Sequence, residues 1–281
     1  MRVVKVGSIS IGNKHPLVLI AGPCVIESEE IVLKTAEAIQ KITDRLQIPF
    51  IFKSSYLKDN RSSSKTYQGA GLDEGLRILQ KVKDTSGVPV LSDIHDQHDA
   101  EKAAEVLDVI QIPAYLSMQT GLTVAVAKTG KVVNVKKGQF LDPNDVKNII
   151  GKIEGEGNTQ ILLTERGSCF GYHNLMVDMR SFQVMHELGY PVVFDPTHAI
   201  RVYGISSSDL RGGTPQYVPG LSRAAVAAGI DAIFIETHPD CKKALCDAAS
   251  MWPLQHLEPL LVQLKAIDEL VKTQEKIELN R

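Results

Sequence analysis

Eight short apolar, β-rich runs recur along the 281-residue chain: "LVLIAG", "FIFKSS", "PVLSDI", "VIQIPA", "VVNVKK", "ILLTER", "PVVFDP" and "AIFIET". Helical patterns alternate with them. Eight strand-then-helix units predict a (β/α)8 TIM barrel, the α/β architecture that closes parallel strands inside a ring of helices. The runs are apolar almost from their starts, as parallel strands buried on both faces require. An open doubly wound sheet is the competing arrangement. It predicts a glycine-rich dinucleotide turn after an early strand, and no G-x-G-x-x-G occurs. Of the helical stretches, "SEEIVLKTAEAIQKITDRL" predicts a helix capped by Ser28, with glutamates in the first turn where the helix dipole favours them. The residues before Leu17 read as a short extension, a hairpin capping the barrel's bottom. Residues 1–281 read as one catalytic barrel domain.

Charge narrows the functions. A formal net charge of -2, from 31 basic and 33 acidic residues, excludes a nucleic acid or membrane held by bulk charge. The opening "MRVVKVGSISIGNKHP" carries no long apolar region, and no run approaches membrane-spanning length. The chain therefore reads as soluble and cytoplasmic. Its four cysteines, Cys24, Cys169, Cys241 and Cys246, include no CxxC pair. A chain this long needs no disulfide staples, so they read as reduced thiols.

The strands turn polar at one end only. Cys24, Lys53, Asp93, Gln111, Lys136, Arg166, His198 and Glu236 each stand at or just past the C-terminal end of a run. In a barrel those ends converge on one face, where active sites lie. One polar strand end is commonplace; eight in phase predict a site. Lys53, Lys136 and Arg166 sit in apolar surroundings, where grouped cations are costly unless anions neutralise them. A small, highly anionic substrate would do so. Lys58 and Arg61, in "KDNRSS", taken alone read as solvated loop charges.

Cys24, His198, Glu236 and Asp247 offer one sulfur, one nitrogen and two carboxylates, a mixture suited to Zn, Fe, Mn or Co. Taken singly, such a cysteine is more often a small buried hydrophobe and such a histidine more often a structural hydrogen-bonder. Strands one, seven and eight adjoin in a closed barrel, which favours the metal reading. His238 and Asp240 either line the site or shape the backbone. Cys169, Cys241 and Cys246 read as structural.

"AGPCVIESEE", "FKSSYLKDNRSSSKTYQGAGLDEGLRIL", "DVIQIPAYL", "NVKKGQF", "ERGSCFGY", "DPTH" and "IETHPD…LCDAASMWPL" together resemble the 3-deoxy-D-manno-octulosonate 8-phosphate synthases. The likeness runs from about Leu17 to the last helix. It implies a transferase that condenses phosphoenolpyruvate with D-arabinose 5-phosphate, a precursor step for lipopolysaccharide in Gram-negative bacteria and for a pectic polymer in plants. It also implies a barrel assembled as a homotetramer. By resemblance, Lys53, Lys58, Lys136 and Arg166 hold the phosphate and carboxylate of phosphoenolpyruvate. Gln111 and the Pro113–Ala114 turn shape that pocket. Asn60, Arg61 and Ser62 bind the sugar phosphate, with Arg61 and Ser62 reaching a neighbouring subunit's site, and Asp93 contacts the sugar hydroxyls. Cys24, His198, Glu236 and Asp247 match the ligands of the metal-dependent class, whose metal-free cousins carry Asn at the cysteine position. His198, Asp247 and Lys136 are the catalytic candidates. Tyr115, Asp59, Leu57 and Arg201 depart from the usual Phe, Ala, Asp and Gln. The alternatives are a 3-deoxy-7-phosphoheptulonate synthase, a Schiff-base aldolase using Lys53 or Lys136, and a barrel that only binds a sugar phosphate.

Overall fold

The computed structural model describes residues 1–59, 66–169, 174–206 and 209–275. A hairpin opens the chain: β1 (Val4–Val6) pairs antiparallel with β2 (Ile9–Ile11), and Gly7 turns between them at φ 58°. Six barrel strands follow, β3 (Val18–Gly22), β4 (Phe50–Lys53), β5 (Val90–Asp93), β6 (Val109–Ile112), β7 (Val132–Lys136) and β8 (Ile161–Glu165). A small antiparallel pair, β9 (Ser168–Cys169) and β10 (Leu175–Met176), interrupts them. Then come β11 (Val192–Phe194), β12 (Ala232–His238) and a short β13 (Trp252–Pro253) beside β12. β3 to β8, β11 and β12 are parallel neighbours, and β12 pairs with both β11 and β3. The eight-stranded barrel is thus closed, as the alternating pattern predicts.

The expected helices form. Helix α1 (Glu29–Leu46) starts where Ser28 Oγ accepts the N–H of Ile31 at 3.3 Å, with Glu29 and Glu30 in its first turn. Its buried Val32, Ala36 and Ile39 recur at three- and four-residue steps and face the barrel wall. The last helix, Leu257–Thr273, buries Leu257, Leu260, Leu261 and Leu264 in the same way.

Successive strand residues face opposite sides, and two apolar clusters follow that alternation. Leu19, Phe50, Phe52, Ile110, Val133, Leu163 and Val192 point outward and pack with the helices. Val18, Ile20, Ile51, Leu91, Val109, Leu162, Val193 and Phe234 point inward and form a floor. Val4, Val6 and Ile11 of the hairpin join that inner cluster, so the hairpin plugs the barrel's bottom as expected. At roughly 1.5–3 kcal/mol per fully buried aliphatic or aromatic side chain, these layers are the main drive for closure. Among the described residues, no helix is long and apolar enough to cross a membrane.

Candidate active site

Two residues beyond each floor residue the inward phase becomes polar. Lys53 follows Ile51, Asp93 follows Leu91, Gln111 follows Val109, Asn134 follows Val132, Thr164 follows Leu162, Asp195 follows Val193 and Glu236 follows Phe234. All seven are buried. Gly22 takes the matching place on β3, at φ 155°, where any Cβ would lie 2.0 Å from the carbonyl oxygen of Lys53.

These buried groups satisfy one another. Thr164 donates to Asn134 at 2.6 Å, and Asn134 donates to Gln111 at 2.8 Å. Gln111 in turn donates to Asp93 Oδ1. Asp93 Oδ2 accepts from Ser55 at 2.9 Å and from Lys58 at 2.6 Å. The relay spans four adjacent strands and fixes the Gln111 amide, whose oxygen is taken by Asn134. Pro113 and Ala114 follow directly, with Ala114 buried at the start of a helical turn.

The cations are neutralised from within. Lys53 Nζ meets Glu236 Oε1 at 2.5 Å, and Lys136 Nζ meets Asp195 Oδ2 at 2.6 Å. Lys136 also lies over the Phe234 ring, 3.9 Å from its centroid, with Lys53 5.5 Å away. Lys58 is 5% exposed, which corrects its reading as a solvated loop charge; its segment folds inward onto Asp93. Burial pulls Lys53 below the ordinary lysine value despite Glu236. Burial acts on Lys58 in the same sense, but Asp93, Glu236 and Asp247 outweigh it and hold it above that value. Asp93 feels burial upward and Lys58, Lys53 and Lys136 downward, and ends well below the carboxylate range. Arg166 is met by a neutral partner: it donates to the Tyr203 hydroxyl and stands 5.8 Å from that ring. Tyr203 packs edge-on against Tyr115.

The four metal candidates converge. His198 Nε2 is 3.6 Å from both Glu236 Oε2 and Asp247 Oδ2, and Cys24 Sγ is 3.5 Å from Asp247 Oδ2. Asp195 Oδ2 lies 2.6 Å from His198 Nδ1. Burial raises the Asp195 carboxyl, His198 and Lys136 lower it by more, and it ends below its ordinary value; with Nδ1 on Asp195, Nε2 is the ring nitrogen that faces Glu236 and Asp247. Glu236 Oε2 is buried and has no hydrogen-bond partner among the described residues. An unsatisfied carboxylate oxygen that shares its space with a ring nitrogen and a second carboxylate is a poor arrangement alone and a good one around a cation. The donor set therefore fits a divalent ion.

Cys24 also meets a residue that the sequence reading treated as merely structural. Cys24 and Cys246 are joined as a disulfide, with Cα atoms 6.0 Å apart, which corrects the expectation that every cysteine is a reduced thiol. Cys246, Cys24 and Asp247 form a second group whose ligand atoms lie within 4.8 Å of one another. A thiolate is the metal-binding form of cysteine, so ligation by Cys24 belongs to the reduced pair.

Asn60, Arg61 and Ser62 lie outside the described residues. His238 takes the backbone-shaping role, its Nδ1 accepting the Asp240 N–H at 2.9 Å. Asp195 is the functional residue the sequence reading missed. It anchors both Lys136 and His198, and its signal was its place two residues after an inward valine.

Residues 2–273 match the model of the DAHP synthetase I family. A relative from Trichlorobacter lovleyi, named 2-dehydro-3-deoxyphosphooctonate aldolase, is 56% identical over 96% of this chain and 98% of its own. Proteins of the same name from Pelobacter propionicus and Geotalea uraniireducens are 54% and 53% identical, over 96% and 97% of this chain and 99% and 100% of theirs. With a closed barrel, a mouth of paired cations and likeness along almost its full length, the chain belongs to the DAHP synthetase I family.

Proposed function

We propose that this chain condenses phosphoenolpyruvate with D-arabinose 5-phosphate and water, giving 3-deoxy-D-manno-octulosonate 8-phosphate and inorganic phosphate. The relatives' name denotes the same eight-carbon acid, which three carbons from phosphoenolpyruvate and five from a pentose supply. The observation that carries the reading is the group of Lys53, Lys58, Lys136 and Arg166 at one barrel mouth, three of them buried against carboxylates and the fourth against a neutral hydroxyl.

In the reaction, C3 of phosphoenolpyruvate attacks the sugar aldehyde carbon, forming the new C–C bond. Water adds at C2, and the tetrahedral adduct loses phosphate by C–O cleavage. No covalent enzyme intermediate is needed. Lys53, Lys58, Lys136 and Arg166 hold the phosphate and carboxylate, with Gln111, Pro113 and Ala114 shaping that pocket. Alignment of two anions is chiefly a proximity effect. Asn60, Arg61, Ser62 and Asp93 receive the sugar phosphate. In the described residues Asp93 also holds Lys58 and Gln111, so it couples the two substrate sites. The inner atoms of His198 and Asp247, Nε2 and Oδ2, either move protons at the sugar oxygen or, with an ion bound, serve as its ligands. A divalent Zn, Fe, Mn or Co ion held by Cys24, His198, Glu236 and Asp247 would supply a Lewis acid for the aldehyde oxygen. A cytoplasmic homotetramer, with Arg61 and Ser62 shared between neighbours, completes the reading.

The test is phosphate release from phosphoenolpyruvate. Release should depend on arabinose 5-phosphate, with erythrose 4-phosphate a poor substitute. Equal or faster release with erythrose 4-phosphate would transfer the chain to the seven-carbon synthases.

A further inference from the structure

We propose that Arg201 is a positioning residue for the metal centre: it ties off one oxygen of Asp247, so that the carboxylate meets the ion through the other alone. The inference rests on the metal reading above and concerns how the ligands are aimed.

The donors share one pattern. Glu236 gives Oε1 to Lys53 at 2.5 Å and turns Oε2 inward, with no hydrogen-bond partner among the described residues. His198 gives Nδ1 to Asp195 at 2.6 Å and turns Nε2 inward. Asp247 receives Arg201 Nη1 on Oδ1 at 3.2 Å and turns Oδ2 toward Cys24 and His198. In each case a group of opposite or complementary charge holds the outer atom, and the inner atom faces the same point. Arg201 does for Asp247 what Lys53 does for Glu236.

Asp247 has particular need of such a hold. Among the described residues it is one of three non-glycine residues with positive φ, at 48°, and it starts a turn whose carbonyl accepts from Ser250 and Met251. A ligand on a turn has less to orient it than one on a strand. Arg201 sits on firmer ground. Its side chain is 11% exposed, and its backbone bridges to Gly213. Gly213 packs so tightly on the Ala249 carbonyl that a Cβ would lie 2.5 Å from it. The next residue, Val202, bridges to Asn174 and donates to the Gly212 carbonyl at 3.0 Å. Guanidinium charge opposes a nearby cation, whereas a fixed carboxylate favours one. Partners of metal ligands commonly change affinity by roughly 10–100-fold, and the two effects have opposite signs, so the direction of the change in Zn2+ affinity without Arg201 separates them.

The experiment compares wild type with Arg201→Ala, Arg201→Met and Arg201→Lys, all as reduced full-length protein. Chelator competition with Zn2+ gives the dissociation constant, and Co2+ loading gives the visible spectrum. Ala and Met, which lack a donor, should weaken Zn2+ binding roughly 10–100-fold. They should also dim the Co2+ bands, because an Oδ1 no longer held by Arg201 can turn to the ion and add to the coordination number. Lys, which restores a charged donor, should recover most of both. Met fills the arginine's volume and carries the test if Ala does not fold. Wild-type or tighter Zn2+ binding with an unchanged Co2+ spectrum in Ala or Met overturns the proposal. Tyr203→Phe, on the same segment but against Arg166, should raise the KM for phosphoenolpyruvate and leave Zn2+ affinity alone. An equal loss of Zn2+ there would mean general loosening of the segment and would also overturn it. Wild type that binds neither ion would instead remove the metal reading beneath it.

Discussion

At the floor of the barrel, Ile51, Leu91 and Val193 pack against Val4, Val6 and Ile11 of the plug. Two residues further along the same strands, Lys53, Asp93 and Asp195 are as thoroughly buried, yet charged. Phe234 divides the two regions, belonging to the floor cluster while lying beneath Lys136. The floor is held by transfer of apolar area from water, which is non-directional and forgiving of shape. The mouth is held by pairing, in which each charge is tolerable only because its partner is present. One region can lose atoms gradually; the other fails when a single partner goes.

The largest expected break in that contrast is Lys53→Met. It strips Glu236 of its 2.5 Å partner and leaves Lys58 at 3.9 Å. Breaking a buried pair costs about 3–5 kcal/mol, and turnover should be lost as well. A variant with wild-type melting and wild-type phosphate release would erase the distinction. Next comes Ile51→Ala, on the same strand and in the same inward phase. It should cost about 2–5 kcal/mol through the cavity left behind, while turnover per folded molecule stays near wild type. A matching collapse of kcat/KM would mean that floor and mouth are one unit.

Of the two regions, acid should act on the mouth, because the floor cluster is built of apolar side chains. Cationic neighbours outweigh burial at Asp93, Asp195, Asp247 and Glu236, and the folded values lie below the ordinary ones. Their stabilisation is complete above the unfolded carboxylate values, about 4. It is lost as pH falls through the depressed folded values, where the unfolded chain binds more protons. The urea midpoint of metal-free protein should therefore hold from pH 7 to about 5 and drop by pH 3. A flat midpoint across that range would contradict the pairing. The smallest effect expected is Ile11→Val in the plug, about 0.5–1.5 kcal/mol with no change in KM for either substrate. A change in KM would show that the plug communicates with the mouth.

The architecture was legible because parallel barrel strands are buried on both faces and so stand out as apolar runs at regular intervals. The site was legible for a related reason: a polar residue ending such a run has nowhere to go but the mouth. Counting one residue per strand was the limit. Asn134, Thr164 and Asp195 share the inward phase and complete the network, and strand periodicity could have found them. Lys58 was different. Its burial depends on a loop folding back, with its N–H on the Gln68 carbonyl at 2.6 Å, and nothing local in "KDNRSS" announces that. The meeting of Cys24 and Cys246 across 222 residues left no pattern either, since barrel closure alone brings them together.

That closure sets a schedule for synthesis. Cys24 and Asp247 stand 223 residues apart in the chain, on either side of the β3–β12 seam. At about 5–20 residues per second, a ribosome that has released Cys24 needs roughly 11–45 s to reach Asp247. No nascent fragment shorter than 247 residues holds the full donor set. An ion held by the proposed set would therefore be acquired only after β12, the last barrel strand, has been made.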